Sequence, residues 1–181
     1  NAMLVSTTAS DTVCVGYSAG DALTDAIENV FVGYFAGSGT TTGLNNTGVG
    51  ASALQANTTG LKNVAIGNRC LDANTTASNN TGVGHEALTD NTTGADNTAV
   101  GFQAGENVTT ASNGVYIGKE AGGAITTGDT NICIGISAAD TLTTGNSNII
   151  IGNTARPSAS GGANQIAMGV VATCVGDNNF T

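Results

Sequence analysis

Tryptophan is absent from this chain, proline and histidine occur once each, and only 4% of the residues are aromatic. Charged residues make up 9%, and apolar runs extend for only a few residues. From runs this short we expect neither a membrane-spanning segment nor a signal peptide in this sequence. Helical periodicity is also missing, and residues 21–29, the one stretch that could form a helical turn, are predicted to be a loop. A globular fold around one large core is therefore not expected.

Basic residues are scarce too, since the chain has four lysines and arginines against 13 acidic residues and a net charge of −9. This charge makes nucleic acid and anionic membranes poor partners. The carboxylates are scattered over variable positions, which indicates a solvated surface rather than a paired acid and base. The single histidine, His85, has no partner in a fixed position, and no phosphate-binding loop, calcium-binding nonapeptide or Cys-x-x-Cys motif is present. We predict no enzyme activity, no cofactor and no metal.

A glycine preceded by an aliphatic residue recurs ten times at a constant spacing of 17 residues. Repetition at a fixed period of this length is typical of a solenoid, in which one unit is stacked many times. We call these residues the marker glycines and expect each to lie at a bend. They are Gly16, Gly33, Gly50, Gly67, Gly84, Gly101, Gly118, Gly135, Gly152 and Gly169.

The residues one and three positions before each marker glycine are mostly Val, Ile or Thr. Side chains on a strand alternate between its faces, so these two columns share one face and predict a strand. The residue between them is usually small, and we expect its face to be half-buried. Three residues after the glycine the chain has Ala in nine copies and Cys70 in the other. We predict a thin interior in which the alanines face the Val and Ile columns.

Two polar columns repeat as well. Thr-Thr followed by Gly or Ala recurs from Thr41 to Thr143 and predicts a turn in which the glycine takes a positive φ. Four residues before the marker glycine, Asn occurs in seven copies, beginning with Asn29. Asparagines at equivalent positions can stack, each amide bonding the next. We interpret this column as a structural ladder.

The four cysteines lie in different copies, at Cys14, Cys70, Cys133 and Cys174. With coils about 4.8 Å apart, even the last two are expected to be farther apart than the roughly 7 Å between Cα atoms that a disulfide allows. We therefore expect no intrachain disulfide and interpret the cysteines as buried thiols in place of small apolar residues. If the column of small residues faced a threefold axis, Cys14 or Cys133 from neighbouring chains would meet there.

Several segments resemble known repeats. Asn57-Thr58-Thr59-Gly60, Asn91-Thr92-Thr93-Gly94 and residues 96–105 resemble the repeats of bacteriophage tail-fibre proteins, in which an Asn-Thr-Ala-Val-Gly-Tyr-Gln-Ala-Leu unit alternates with Asn-Thr-Thr-Gly. Residues 63–67, Asn-Val-Ala-Ile-Gly, are similar to the head repeat of trimeric autotransporter adhesins. The resemblance covers essentially the whole chain, and the 17-residue period matches the fibre repeat better than the shorter adhesin repeat.

This resemblance implies a parallel left-handed β-roll or β-helix, built as a homotrimer along a threefold axis and serving as a rigid stalk. In these families a C-terminal receptor-binding or self-cleaving chaperone domain often follows. Residues 1–3 are interpreted as an expression-tag remnant and start, and residues 4–181 as one repeat domain cut from a longer fibre. The small number of large aliphatic residues for this length also favours burial between chains. A single-chain β-helix is the alternative.

Two functions fit these expectations. The first is a structural shaft of a phage tail fibre or surface adhesin, part of a virion or a cell surface, that presents a host-recognition tip. The second is a solenoid that binds a glycan or ice directly through its Thr and Asn columns. Adjacent threonines argue against ice, because neighbours on a strand point to opposite faces. The expected partners are copies of the chain itself and a host glycan or protein. The candidate glycan contacts are Tyr17, Tyr34, Phe35 and Phe102.

Overall fold

A computed structural model of the chain describes residues 11–178, where no helix occurs and hence none that could cross a membrane. The predicted all-β parallel solenoid of 17-residue coils is confirmed, because ten strands form one parallel sheet in chain order. The tag remnant predicted at residues 1–3 lies outside the described residues. The strands are β1 (Val13–Val15), β2 (Val30–Val32), β3 (Thr47–Val49), β4 (Val64–Ile66), β5 (Thr81–Val83), β6 (Thr98–Val100), β7 (Val115–Ile117), β8 (Ile132–Ile134), β9 (Ile149–Ile151) and β10 (Ile166–Met168).

Each strand residue pairs with the residue 17 positions later, as Val64 does with Thr81. Hydrogen bonds between coils continue outside the strands. The N–H of Thr41 donates to the carbonyl of Thr58 over 3.0 Å, and the N–H of Lys62 donates to the carbonyl of Leu44 over 2.9 Å. The strands are therefore short because the chain bends, while the stacking bonds extend around the coil.

The marker glycines form one bend of every coil. Their φ angles lie between 126° and 145°, a region that side chains rarely adopt. A Cβ on Gly50 would also overlap the carbonyl group of Gly67 in the next coil. Glycine is required here both for its backbone conformation and for the close approach of stacked coils, which confirms the predicted bend.

Two other positions have a positive φ in every coil and never have glycine, and a third, four residues after the marker glycine, has a positive φ at glycine, leucine or alanine. The second residue after the marker glycine is one, with φ of 53° at Arg69 and 56° at Glu86. The other lies two residues after the Thr-Thr-Gly segment, with φ of 60° at Asp96. Gly60 and Gly94 of the Thr-Thr-Gly segments have no positive φ, so that part of the turn prediction is wrong. The left-handed residue follows them, at a position where Asn and Asp are common and tolerate this conformation.

The interior contains the middle residue of each strand. These residues are buried from β2 to β10, and Cys14 in β1 is half-buried. The alanine column packs against them, since Ala53 and Ala87 have no exposed surface. The expectation that the Val and Ile columns line this interior is wrong, because those side chains point outward. The physical reason is the small volume inside the coil. Ala, Leu and Asn side chains from the turns occupy most of it, so only the middle residue of each strand fits inside.

Large inward side chains are matched by nearby glycines. A Cβ on Gly114 or Gly122 would overlap Tyr116, one at its hydroxyl and the other at its ring. Where the inward strand residue is small, as at Gly82, side chains of the preceding coil fill the space, because a Cβ on Gly82 would overlap Sγ of the buried Cys70 and lie 3.6 Å from Cδ1 of the buried Leu71. Side-chain volume is thus exchanged between neighbouring positions, which keeps the narrow interior filled along the stack.

The asparagine column forms the predicted ladder. The main-chain N–H of Asn80 donates to Oδ1 of Asn63 over 2.9 Å, and Nδ2 of Asn63 donates to the carbonyl of Ala77 over 2.9 Å. Both asparagines are fully buried. Most bonds of the ladder therefore join a side chain to the main chain of the next coil. The column is interrupted at Gly114, where the hydroxyl of Tyr116 takes the space of a side chain.

A second, shorter amide ladder was not predicted. Nδ2 of Asn74 donates to Oδ1 of Asn57 over 2.9 Å, and Nδ2 of Asn91 donates to Oδ1 of Asn74 over 3.2 Å. The next coil has Val108 at this position, and Oδ1 of Asn91 is buried without a hydrogen bond to the described residues. All three asparagines are fully buried, so these Asn-Thr-Thr segments do not expose their amides.

Asn63→Leu tests the ladder. The substitution leaves the N–H of Asn80 buried without its partner, whereas the carbonyl of Ala77 keeps the hydrogen bond from Nδ2 of Asn74. A buried group left unpaired costs about 1–3 kcal/mol, so we expect the free energy of unfolding, measured with denaturant, to fall by at least about 1 kcal/mol. Asn68→Leu makes the same change at an exposed position and should alter the free energy by less than about 0.5 kcal/mol. Equal losses in the two variants would contradict a structural role for the ladder.

Gly122→Leu tests the volume exchange. The new side chain would overlap the Tyr116 ring and should destabilise the fold by about 1–3 kcal/mol. The backbone accepts leucine, because Leu88 has a φ of 53° at the equivalent position, where Gly122 has 63°. Adding Tyr116→Ala removes the overlap, so the double variant should be more stable than the sum of the single losses predicts. Denaturant unfolding of the unaltered chain, the two single variants and the double variant measures this coupling. If the losses of stability in the two single variants add up to the loss in the double variant, the volume exchange is refuted.

Candidate interaction surface

The first and third residues of each strand point outward and form a surface that we call the outer sheet face. It contains two residues from each of the ten strands, and all are Val, Ile, Met or Thr. Alternation along the strand sets the direction of these side chains, and β-branched residues favour strands. The members are Val13, Val15, Val30, Val32, Thr47, Val49, Val64, Ile66, Thr81, Val83, Thr98, Val100, Val115, Ile117, Ile132, Ile134, Ile149, Ile151, Ile166 and Met168.

The outer sheet face is accessible to solvent along its whole length. The exposed fraction is 56% at Val15, 42% at Ile66 and 52% at Met168. With strands about 4.8 Å apart, the face forms an apolar strip about 43 Å long. Contiguous exposed apolar surface of this kind is typical of interaction sites.

Every charged residue of the chain lies in a column other than the two of the outer sheet face. The strip is therefore uncharged, although the chain has a net charge of −9. Sequence reasoning missed this surface because an uncharged β-branched column fits an interior wall as well as an outward face. The two alternatives can be distinguished by the volumes of the turn residues, which already fill the interior and leave no space there for the β-branched columns.

The Thr-Thr pairs form another side of the coil. The first threonine of a pair donates its hydroxyl to the carbonyl of its counterpart in the next coil, as Thr58 does to Thr75 over 3.0 Å. The second threonine, such as Thr59, is exposed. Because the asparagines of both ladders are buried, the ligand-binding face expected from Thr and Asn reduces to one exposed rank of threonines.

Three of the four candidate glycan contacts lie together. The rings of Tyr17 and Tyr34 stack with centroids 5.5 Å apart, and Phe35 meets Tyr34 edge-on at 4.5 Å. The two tyrosines are 59% and 56% exposed. Phe102 lies four coils away from Tyr34 and stacks on His85 at 5.4 Å instead. The structure thus forms one exposed aromatic corner and leaves Phe102 outside it.

The single histidine is at the surface. Nδ1 of His85 lies 3.5 Å from Oε2 of Glu86, the next residue in the sequence. This contact, together with the stacking on Phe102, gives His85 a position among exposed side chains. Within residues 11–178, no three His, Cys, Asp or Glu side chains are grouped so that they could hold a metal ion.

Acidic side chains lie close together on one side of the coils that contain strands β5 to β8. Nε2 of Gln103 donates to Oε2 of Glu86 over 2.9 Å and to Oε1 of Glu106 over 3.1 Å. Loss of hydration raises the pKa of Glu106, and the nearby carboxylates of Glu86, Asp90 and Glu120 raise it further. A surface groove of about 260 Å³ lies here, lined by Gln103, Glu106, Asn107, Glu120, Gly123, Ala124 and Asp140.

The cysteines occupy interior positions. Cys70 and Cys133 have no exposed surface, and burial raises the pKa of each thiol to about 12. Cys174 is 3% exposed, so the interpretation as buried thiols is confirmed for these three, whereas Cys14 is half-buried. Cys14 and Cys133 point into the coil. The hypothesis that they meet neighbouring chains at an axis outside it is therefore wrong.

The fold defines the chain as a parallel β-solenoid repeat protein. Comparison with models of protein families, with curated proteins and with solved structures gives no match. Its function is therefore inferred from the repeat pattern and from the surfaces that the coils present.

Glu106→Gln tests the crowding of carboxylates. Because the folded chain raises the pKa of Glu106, the ionised group costs stability above that pKa, and the cost disappears as the pH falls through it. The variant should unfold at a higher temperature than the unaltered chain at neutral pH and at nearly the same temperature in strong acid. Glu28→Gln removes an equal charge far from the groove and should have the smaller effect at neutral pH. A lower unfolding temperature for Glu106→Gln at neutral pH would contradict this account.

Proposed function

We propose that this chain is a segment of a homotrimeric fibre, the structural shaft of a phage tail fibre or surface adhesin that presents a host-recognition tip and performs no catalysis. The observation that carries the proposal is the outer sheet face, on which two residues of every strand are exposed or partly exposed and none is charged. Covering this face with other chains would remove its aliphatic side chains from water. Each square ångström of apolar surface buried contributes about 25 cal/mol.

A second copy of the chain is the partner that fits the strip best. Coils of equal rise place the strands of neighbouring copies at matching heights along the whole stack, which a partner of another shape would not do. Two chains that each have a net charge of −9 repel elsewhere, whereas the outer sheet face offers an uncharged contact. Three chains around an axis parallel to the stack bring all three faces together. This is the assembly that the resemblance to fibre repeats implies.

The remaining surfaces support a spacer rather than a receptor-binding module. The asparagines of both ladders are fully buried, and the first threonine of each pair bonds within the chain. We therefore assign recognition of a host glycan or protein to a tip beyond these coils, in a virion or at a cell surface. The exposed corner of Tyr17, Tyr34 and Phe35 is the one place on the coils that we retain as a candidate glycan contact.

The dependence of thermal unfolding on protein concentration tests the assembly. If folding is coupled to association, the unfolding temperature of the unaltered chain rises over a roughly hundredfold increase in concentration. Val83→Glu places a charge on the outer sheet face and would bury three carboxylates together in the trimer. Burial of unpaired charge costs several kcal/mol per ion, so we expect the unfolding temperature to fall by more than about 10 °C.

Thr93→Glu is the matched control, because it adds the same charge to an exposed position in the rank of threonines. Its unfolding temperature should stay within about 2 °C of that of the unaltered chain. If unfolding is independent of concentration and Val83→Glu behaves like Thr93→Glu, the outer sheet face is not an interface between chains and the proposal fails.

A further inference from the structure

Three hydroxyl groups interrupt the aliphatic outer sheet face. They belong to Thr47 in β3, Thr81 in β5 and Thr98 in β6, which are the first residues of their strands. All three side chains are partly exposed. At this position the other seven strands have Val or Ile. The three threonines are therefore the only polar side chains among the outward strand residues of the described chain.

These hydroxyls differ from those of the Thr-Thr corners. The corner threonines from Thr24 to Thr143 donate to a carbonyl of the next coil, as Thr92 does to Thr109 over 3.0 Å. Among residues 11–178, the hydroxyls of Thr47, Thr81 and Thr98 make no hydrogen bond. Their partners therefore lie outside the chain, in water or in another copy.

We propose that Thr47, Thr81 and Thr98 set the register in which copies of this chain assemble, an inference that rests on the proposed homotrimer. A face of equivalent strands can slip by one or more coils, because each slip again places strand beside strand. In the unslipped trimer, each threonine lies level with the same threonine of the other two chains. The hydroxyls can then bond one another across the interface.

The spacing of the three threonines makes this register unique. β5 and β6 are one coil apart, β3 and β5 are two apart, and β3 and β6 are three apart. All three intervals differ. A slip of one, two or three coils therefore aligns one threonine of a chain with one of its neighbour, and a larger slip aligns none. Only the unslipped arrangement aligns all three.

A misaligned threonine faces Val or Ile in the neighbouring chain. Its hydroxyl is then removed from water without a hydrogen bond, which is unfavourable, whereas aligned hydroxyls satisfy one another. A single polar residue in the apolar seam of a coiled coil selects register in the same way, at some cost in stability. The three threonines would thus exclude slipped assemblies.

Moving one threonine tests the proposal with composition unchanged. The pair Thr98→Val and Val115→Thr shifts the third threonine to β7, so that two intervals become two coils each. A slip of two coils then aligns two pairs of threonines instead of one. To measure the register, chains with Val49→Cys are refolded together with chains with Val83→Cys, and the disulfides that form between neighbouring chains show which positions lie side by side. Positions 49 and 83 lie at the same place in β3 and β5, two coils apart.

In the background with the original threonines, we expect disulfides to join position 49 to 49 and position 83 to 83. In the moved-threonine background, disulfides between positions 49 and 83 should rise by roughly fivefold or more. Mass spectrometry of the linked peptides measures both. Replacing all three threonines with valine should allow slips of several sizes and should leave the trimer at least as stable.

The outcomes separate this inference from the proposed function. A trimer by sedimentation with the same like-to-like disulfides in all three backgrounds would overturn the role of the threonines and leave the fibre intact. A trimer without disulfides at either reporter position would place the interface elsewhere and overturn the inference with it. A chain that sediments as a single copy would overturn the homotrimer itself.

Discussion

The stacking of identical positions, one coil above the next at a 17-residue interval, is the constraint on which the rest of this structure depends. Main-chain hydrogen bonds join the coils within the strands and in the turns between them. Because each residue lies next to the equivalent residues of the coils above and below, its side chain and backbone must be compatible with theirs in space and in hydrogen bonding. Glycine at the bend is required by the carbonyl of the next coil, and the buried asparagines have partners because the next coil presents an N–H and a carbonyl at the same place.

The same constraint divides the chain into an interior and a surface with different requirements. Inside, neighbouring positions exchange volume, so that Tyr116 occurs beside Gly122 and Cys70 occurs beside Gly82. Outside, stacking aligns side chains of one kind into continuous strips. Two of these strips are uncharged and, apart from three threonines, aliphatic, and together they form the outer sheet face. A regular stack with such a face is well suited to be one wall of a stiff multichain shaft.

Much of the fold was predictable from the sequence, because strict repetition turns single residues into columns. The period, the strands, the glycine bend and the asparagine ladder all follow from such columns. The direction in which the Val and Ile side chains of the strands point could not be predicted in this way, because alternation defines two faces of a strand without showing which face is inside. The positive φ at Arg69 and Glu86 also left no sequence signal, because residues of many types occupy that position. The interaction surface was missed for the same reason as the side-chain direction: its members were assigned to the interior.

The central claim is that the outer sheet face is buried between three copies of the chain. Sedimentation equilibrium of the unaltered protein tests it most directly, because the measured mass does not depend on shape. The account predicts a particle of three chains of 17.6 kDa each. A mass of 17.6 kDa at all concentrations would contradict it and would show that the aliphatic strip remains exposed on a single-chain solenoid.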